Sequence, residues 1–208
     1  MPTQPSNNQK PQGLTISKEA LAELPVKEFG GNPVTVINLE QAEIAVRQIR
    51  ESGLLIGFDT ETRPSFQKGV TYKVALVQLS VGQVCYLFRL NKIKELPACL
   101  KELLEDPNII KVGLSTQDDF KNLRKWGELS PHGFIELQSL VKNYGIAEMS
   151  LAKIYALLFG MKLSKRQRLT NWEADQLNFK QQCYAALDAV ACVEIYEALM
   201  RKGRVIID

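Results

Sequence analysis

Two acidic residues directly after an apolar stretch are the first sign of chemistry in this sequence. In LLIGFDTE, residues 54–61, one residue separates Asp59 from Glu61. Because successive side chains of a strand alternate between faces, residues two apart share a face, and these two carboxylates would lie within several ångströms of each other. Two anions so close require either a raised pKa on one of them or a cation between them.

Three further acids and a tyrosine are candidates to join this pair. The segment STQDDFKNL contains Asp118 and Asp119 at the start of a predicted helix, where an acid most often caps the helix or interacts with its dipole. The segment YAALD places Asp188 in an apolar helical face, one turn after Tyr184. A carboxylate in such a face needs a partner, because burying an unpaired charge is costly.

The segments FDTE, QDDFKNL and YAALD, in this order and spacing, resemble the three motifs of the DEDD superfamily of 3'-to-5' exonucleases. Tyr184, four residues before Asp188, matches the Tyr-containing (DEDDy) subfamily, whereas the sister subfamily has His where this chain has Cys183. Within this subfamily the chain resembles ribonuclease D and, more closely, the Werner syndrome protein exonuclease domain, to which the segments KVALVQLSVGQVCYLF and LTNWEADQLNFKQQCYAALDA are similar. The resemblance covers roughly residues 33–201.

This resemblance implies a metal-dependent 3'-to-5' exonuclease that releases nucleoside monophosphates from the 3' ends or single strands of DNA or RNA. Two divalent ions about 3.5–4 Å apart can activate a water and neutralise the leaving oxygen. Mg²⁺ or Mn²⁺ suits a set of carboxylate ligands. The resemblance further implies that Asp59, Glu61 and Asp188 hold one ion, and that Asp59 bridges to a second ion, which Asp119 reaches partly through water.

Two assignments within the motifs need comment. The second motif places its Asp four residues before a Leu-like position, which favours Asp119 because Leu123 follows it, but Asp118 stands beside it and leaves the choice open. A tyrosine with its ordinary pKa near 10 is a poor base at neutral pH. We therefore expect Tyr184 to orient the attacking water, and a merely packed tyrosine is the alternative.

Basic and aromatic residues near the motifs are candidates for nucleic-acid binding. The net charge is +3, and the chain without the four motif acids carries +7. The basic segment KLSKRQR could follow a phosphate backbone, although a solvated basic loop is an equally simple interpretation. The connection after the first motif could hold the terminal nucleotide. The candidate contacts are Arg63, Phe66, Lys68, Lys165, Arg166 and Arg168.

The pattern of apolar residues predicts an α/β fold. Residues 1–13 are polar and aperiodic, which indicates a flexible tail, and residues 14–208 fit a single domain. Strands first follow one another, with a hairpin between residues 74–80 and 84–88, and then alternate with helices. A long helix over about residues 175–201 ends the pattern. This order predicts a mixed sheet flanked by helices. The resemblance to the exonuclease superfamily implies that this sheet is ribonuclease H-like.

Composition argues against several other classes of protein. No apolar run approaches the about 20 residues of a membrane helix, and the first dozen residues lack a signal-peptide core, so we expect a cytoplasmic protein and no membrane partner. The four cysteines have no CxxC spacing, which argues against zinc. The single histidine, His132, lies in a turn-like SPHG segment, so catalysis by an imidazole base is disfavoured.

Two alternative functions stay open at this stage. A nucleic-acid-binding module with the same fold but no turnover would share most of these features, although it would be free to lose the motif acids. A hydrolase of very short oligonucleotides would share all of them. The sequence does not distinguish DNA from RNA, because no motif reports contacts to the 2'-hydroxyl.

Overall fold

The structure, a computed structural model, describes residues 13–53, 55–67, 69–164 and 166–203. Predictions for Lys68, Lys165 and the first twelve residues of the proposed tail lie outside this part of the chain. The strands are β1 (Val26–Lys27), β2 (Asn32–Val36), β3 (Leu55–Thr62), β4 (Val74–Val81), β5 (Val84–Phe88), β6 (Ile110–Gly113), β7 (Phe134–Glu136) and β8 (Lys162–Leu163). The helices are α1 (Lys18–Glu23), α2 (Leu39–Ser52), α3 (Leu90–Ile93), α4 (Ala98–Glu105), α5 (Thr116–Leu123), α6 (Leu137–Leu140), α7 (Leu151–Phe159) and α8 (Phe179–Lys202), with a 3₁₀ turn at Val141–Tyr144.

Six strands form one mixed sheet in the order β2-β5-β4-β3-β6-β7. β4 pairs antiparallel with both β3 and β5, whereas the β2–β5, β3–β6 and β6–β7 pairs are parallel. The hairpin between β4 and β5 confirms the sequence prediction, as does the ribonuclease H-like mixed sheet with flanking helices. β3, which carries the first acidic motif, lies inside the sheet between β4 and β6.

Helices cover both faces of this sheet. α2 and α4 pack on one face through a core that includes Val46, Leu100 and Phe58. α8 packs on the other face, where its run of small residues contacts Leu76 and Leu87 of the sheet. Ile44 of α2 is exposed and Val46 is buried, because the side of the helix that faces the core carries residues 42, 45, 46 and 49.

The small residues of α8 let its backbone approach β3 very closely. A Cβ atom added at Gly57 would lie 2.0 Å from the carbonyl oxygen of Ala189 and 2.3 Å from the hydroxyl of Ser80. Gly57 shares a strand face with Asp59, and Ala189 follows Asp188 in sequence. The crossing of helix and strand therefore brings the first and third motifs together.

α8 begins at Phe179 rather than near residue 175, because a capping box defines its start. The Asn178 side chain accepts from the backbone N–H of Gln181, and the Gln181 side chain accepts from the backbone N–H of Asn178. Among the helices that the structure describes, even this longest one is not apolar enough to cross a membrane.

The segment that precedes the sheet is held by contacts with residues 146 to 148 and with β8. Leu14 forms a β-bridge with Ile146, and the backbone N–H of Ile16 donates to the buried Glu148 carboxylate at 3.0 Å. β1 then pairs in parallel with β8, in a small second sheet that sequence patterns did not predict. Ser17 caps α1 by accepting from the backbone N–H of Ala20.

Candidate active site

Three motif carboxylates meet at the crossing of β3 and α8. One carboxylate oxygen each from Asp59, Glu61 and Asp188 lies within 4.8 Å of the other two. Asp59 and Glu61 share the face of β3 that looks toward α8, as the alternation along the strand predicted. All three side chains are half-buried. The structure thus brings together the acids of the first and third motifs.

The electrostatics of this cluster are unfavourable without a cation. Burial, followed by the charge of Asp188, raises the pKa of Asp59 well above its ordinary value. Burial, followed by the charges of Asp59 and Asp188, raises the pKa of Glu61 to about 10, although Arg168 opposes the shift. Burial raises the pKa of Asp188 to about 7. Holding the negative charges of these three acids together is therefore unfavourable. A bound divalent ion would stabilise the charged carboxylates and lower their pKa values.

Asp119 approaches the cluster from α5 and lies outside the three-carboxylate group. Its Oδ1 atom accepts a hydrogen bond from the Thr60 hydroxyl at 2.5 Å. Burial, followed by the charge of Asp59, raises the pKa of Asp119 to about 8. Asp118, in contrast, has an exposed side chain. Of the two neighbouring acids, Asp119 is therefore the one directed toward the cluster.

Glu136 holds the start of the helix that carries Asp119, a role that sequence reasoning missed. Its carboxylate accepts from the backbone N–H groups of Ser115 and Thr116 at 3.0 and 2.8 Å, and from the Thr116 hydroxyl at 3.0 Å. Ser115 has a left-handed backbone with φ of 62°, so its own side chain does not cap α5. Glu136, at the end of β7, therefore supplies the hydrogen-bond acceptors that a capping side chain would otherwise provide. The only sequence signal was an acid within the short apolar segment FIEL.

Tyr184 reaches the cluster from one turn earlier on α8. Its ring packs 6.0 Å from that of the fully buried Trp172, measured between centroids. Burial, followed by the charge of Asp188, raises the pKa of the phenol above its ordinary value. Its hydrogen bond with Asp188 opposes the effect of burial on that acid. Tyr184 therefore keeps its proton and can donate, which fits an orienting role rather than a basic one.

A cavity of about 340 Å³ opens beside the end of β3. Arg63 and Phe66, both predicted nucleic-acid contacts, line it together with Tyr72, Leu169 and Asn171, none of which was predicted. The Phe66 ring is 85% exposed, and the Arg63 guanidinium lies 5.1 Å from the centroid of the Tyr72 ring. An exposed aromatic ring beside a stacked guanidinium is a suitable surface for a nucleobase.

The basic segment before α8 passes close to the carboxylates at one point. Arg168 is exposed, and its charge lowers the pKa of Glu61, which places it near the cluster. Arg166 is exposed and lies farther along the same segment, beside a different cavity described below. The segment between residue 166 and α8 is anchored by Arg89, whose guanidinium donates to the carbonyl oxygens of Ala174 and Asp175.

Residues 33–204 match the family model described as 3'-5' exonuclease. The chain belongs to the 3'-5' exonuclease family. The match covers the whole six-stranded sheet except Asn32, together with α8, and hence every residue of the carboxylate cluster. It leaves out α1 and β1, which precede the six-stranded sheet in the chain.

Two curated relatives are named as 3'-5' exonucleases or as proteins with such a domain. The chain is 38% identical to Exonuclease 3'-5' domain-containing protein 2 of Drosophila melanogaster, over 71% of this chain and 25% of that protein. It is 31% identical to the mouse Bifunctional 3'-5' exonuclease/ATP-dependent helicase WRN, over 90% of this chain and 14% of that protein. The chain thus spans a quarter or less of the length of these two relatives.

Solved structures of exonucleases share the fold. RNase D of Escherichia coli, described as an exoribonuclease involved in structured RNA processing, superposes with a TM-score of 0.70 and 26% identity. That match covers 82% of this chain and 45% of RNase D. The Nibbler EXO domain of Aedes aegypti superposes with a TM-score of 0.75 at 21% identity, over 85% of this chain and 92% of that domain.

Proposed function

We propose that this chain is a metal-dependent 3'-to-5' exonuclease of the DEDDy type, which hydrolyses the terminal phosphodiester bond of a nucleic-acid strand and releases nucleoside monophosphates. The observation that carries the proposal is the cluster of Asp59, Glu61 and Asp188 with Tyr184 beside it, inside a chain of this family. Nucleic acid as the substrate follows from the family and from the basic and aromatic surfaces around the cluster.

The carboxylates present fit a pair of divalent ions. Three oxygen donors lie within 4.8 Å of one another, and oxygen-rich sets of this kind suit Mg²⁺ or Mn²⁺. Burial raises the pKa values of all three acids, and repulsion between them adds to the shifts of Asp59 and Glu61, so a bound divalent ion would stabilise their charged forms. Asp59, Glu61 and Asp188 would hold one ion, and Asp59 with Asp119 the other. When bound, such ions supply a reactive water and neutralise the charge of the leaving oxygen.

The side chains around the carboxylates have distinct roles in this proposal. Tyr184 keeps its proton and directs its hydroxyl toward the water that attacks the phosphorus atom. Arg168 contributes a positive charge near the scissile phosphate. Arg63 and Phe66 line the cavity that would receive a base close to the 3' end. The cytoplasmic location and the single-domain organisation stay predictions from the sequence.

The test is hydrolysis of 5'-labelled single-stranded DNA and RNA with Mg²⁺, Mn²⁺ or EDTA, by the wild type and by Asp59→Asn. We expect a ladder that shortens from the 3' end, requires the metal and is absent with the variant. The polymer degraded faster identifies the preferred substrate. Binding of both polymers without any shortening would contradict the proposal and would indicate a binding module without turnover.

A further inference from the structure

A second cavity, of about 520 Å³, lies between the N-terminal segment and the basic segment before α8. Its walls come from α1, from β1 and the residues after it, and from β8 with the residues that follow. α1 and β1 precede the part of the chain that matches the exonuclease family. We call this cavity the N-terminal groove; it is lined by Lys18, Leu21, Ala22, Val26, Glu28, Lys162, Leu163, Ser164 and Arg166.

The charges in the N-terminal groove favour an anionic occupant. Lys18, Lys162 and Arg166 supply three positive charges against one negative charge from Glu28. Within the described part of the chain, none of the three cations forms an ion pair with a carboxylate. The Lys162 ammonium donates to the carbonyl oxygen of Ala22, which fixes its position while leaving it further donors.

The rest of the lining is apolar, and part of it is exposed. Val26 is 48% exposed and Leu21 is half-buried, so the apolar surface between the cations can contact the faces of sugars and bases. A groove that combines spaced cations with an apolar surface suits a flexible single strand, since the strand has both charged phosphates and apolar base faces along its length.

The basic segment that lines the groove also reaches the cavity beside the end of β3. Arg166 lines the groove, and Leu169, three residues later, lines that cavity together with Arg63 and Phe66. Because consecutive Cα atoms are about 3.8 Å apart, the Cα atoms of Arg166 and Leu169 are separated by roughly 11 Å at most. A strand whose 3' end lies at the carboxylates would therefore reach the groove within a few nucleotides.

The N-terminal segment is held firmly enough to serve as a wall. Leu14 pairs with Ile146, Ile16 donates to buried Glu148, and β1 pairs with β8. In addition, Lys27 forms an ion pair at 3.0 Å with Glu194 of α8. This ion pair joins the segment to the same helix that carries Asp188.

We propose that the N-terminal groove binds the sugar-phosphate backbone of a single strand upstream of its 3' end, with Lys18, Lys162 and Arg166 contacting phosphates. This inference rests on the proposed exonuclease function, because the groove extends the path of the same substrate. It predicts a preference for strands long enough to fill the groove.

The test compares Lys18→Gln/Arg166→Gln with a charge-matched control, Arg47→Gln/Lys101→Gln, whose side chains lie on α2 and α4 across the sheet. Binding of a labelled single strand is measured by fluorescence anisotropy in EDTA, over a range of salt concentrations. The strand is longer than the roughly 4–16 nucleotides that single-strand sites hold. Hydrolysis of this strand and of a dinucleotide is measured separately with Mn²⁺.

We expect the groove variant to bind the long strand about tenfold more weakly at low salt, and its salt slope to fall by about 0.7 for each phosphate contact removed. Hydrolysis of the dinucleotide should be unchanged, and the control should match the wild type throughout. An unchanged salt slope in the groove variant, or an equal loss on the dinucleotide, would overturn the inference. Absence of hydrolysis by the wild type would instead contradict the proposed function, and the binding data would still test the groove.

Discussion

At the scale of single residues, the site depends on acids whose pKa values are raised by burial. Asp59 and Glu61 were identified from spacing alone, because alternation along a strand fixes which side chains share a face. The spacing of the second motif favoured Asp119 but left Asp118 open, since both occupy the first turn of α5. Which of the two acids faces the cluster depends on the orientation of α5 about its axis. Glu136 of β7 holds the start of this helix through hydrogen bonds to its backbone.

The two neighbouring acids of α5 give a direct test at this scale. Asp119→Asn should lower kcat by about 100-fold or more, because this side chain is directed toward the cluster and would help to hold an ion. Asp118→Asn, with an exposed side chain, should stay within a few-fold of wild type. Hydrolysis of a labelled strand with Mn²⁺ measures both variants, and a larger loss in Asp118→Asn would reverse the assignment.

At the scale of elements, the strands of the sheet were predicted better than the helix boundaries. β4 and β5 follow each other in sequence and are joined by a short turn, so their hairpin could be predicted from local sequence. α8 starts at Phe179 because of a reciprocal cap, and α4 starts after Pro97, neither of which periodicity reveals. β1 and β8 have two residues each and pair across most of the chain, so no local pattern could indicate them.

The close crossing of α8 over β3 gives a test at this scale. Gly57→Ala should destabilise the protein by about 1–3 kcal/mol or more, because the new methyl group would lie 2.0 Å from the Ala189 carbonyl oxygen and must push the helix away. The same shift would separate Asp188 from Asp59, so Mn²⁺ affinity should fall as well. Thermal unfolding and titration calorimetry measure the two effects.

Gly127→Ala is the matched control for this substitution. A Cβ atom at this exposed position meets no other atom within 4 Å, and the position needs no left-handed backbone. Its stability and Mn²⁺ affinity should equal those of the wild type. Equal metal affinity in Gly57→Ala would show that the crossing distance does not control the cluster.

At the scale of the whole molecule, the cluster links stability to pH and to metal. The pKa values of Asp188, Asp119 and Glu61 are raised to about 7, 8 and 10 in the folded protein, above ordinary values near 4. At pH values between the ordinary pKa values near 4 and the raised ones, these acids bind more protons in the folded state than in the unfolded state. The free energy of unfolding of the metal-free protein must therefore decrease as pH rises.

We expect the melting temperature in EDTA to fall from about pH 5 to about pH 9. Added Mn²⁺ should raise the melting temperature most at the high end of this range, because the ion competes with protons for the same oxygens. Asp188→Asn should show a smaller dependence on pH and a smaller effect of Mn²⁺. A melting temperature in EDTA that rises with pH would contradict these pKa shifts.

The separation of the motifs along the chain has a consequence for how such an enzyme is made. More than half of the sequence lies between Asp59 and Asp188. During synthesis on the ribosome β3 emerges long before α8, and domains generally fold as units. Until α8 has emerged, the nascent chain lacks Asp188. The three-carboxylate cluster can therefore form only after this helix has docked on β3.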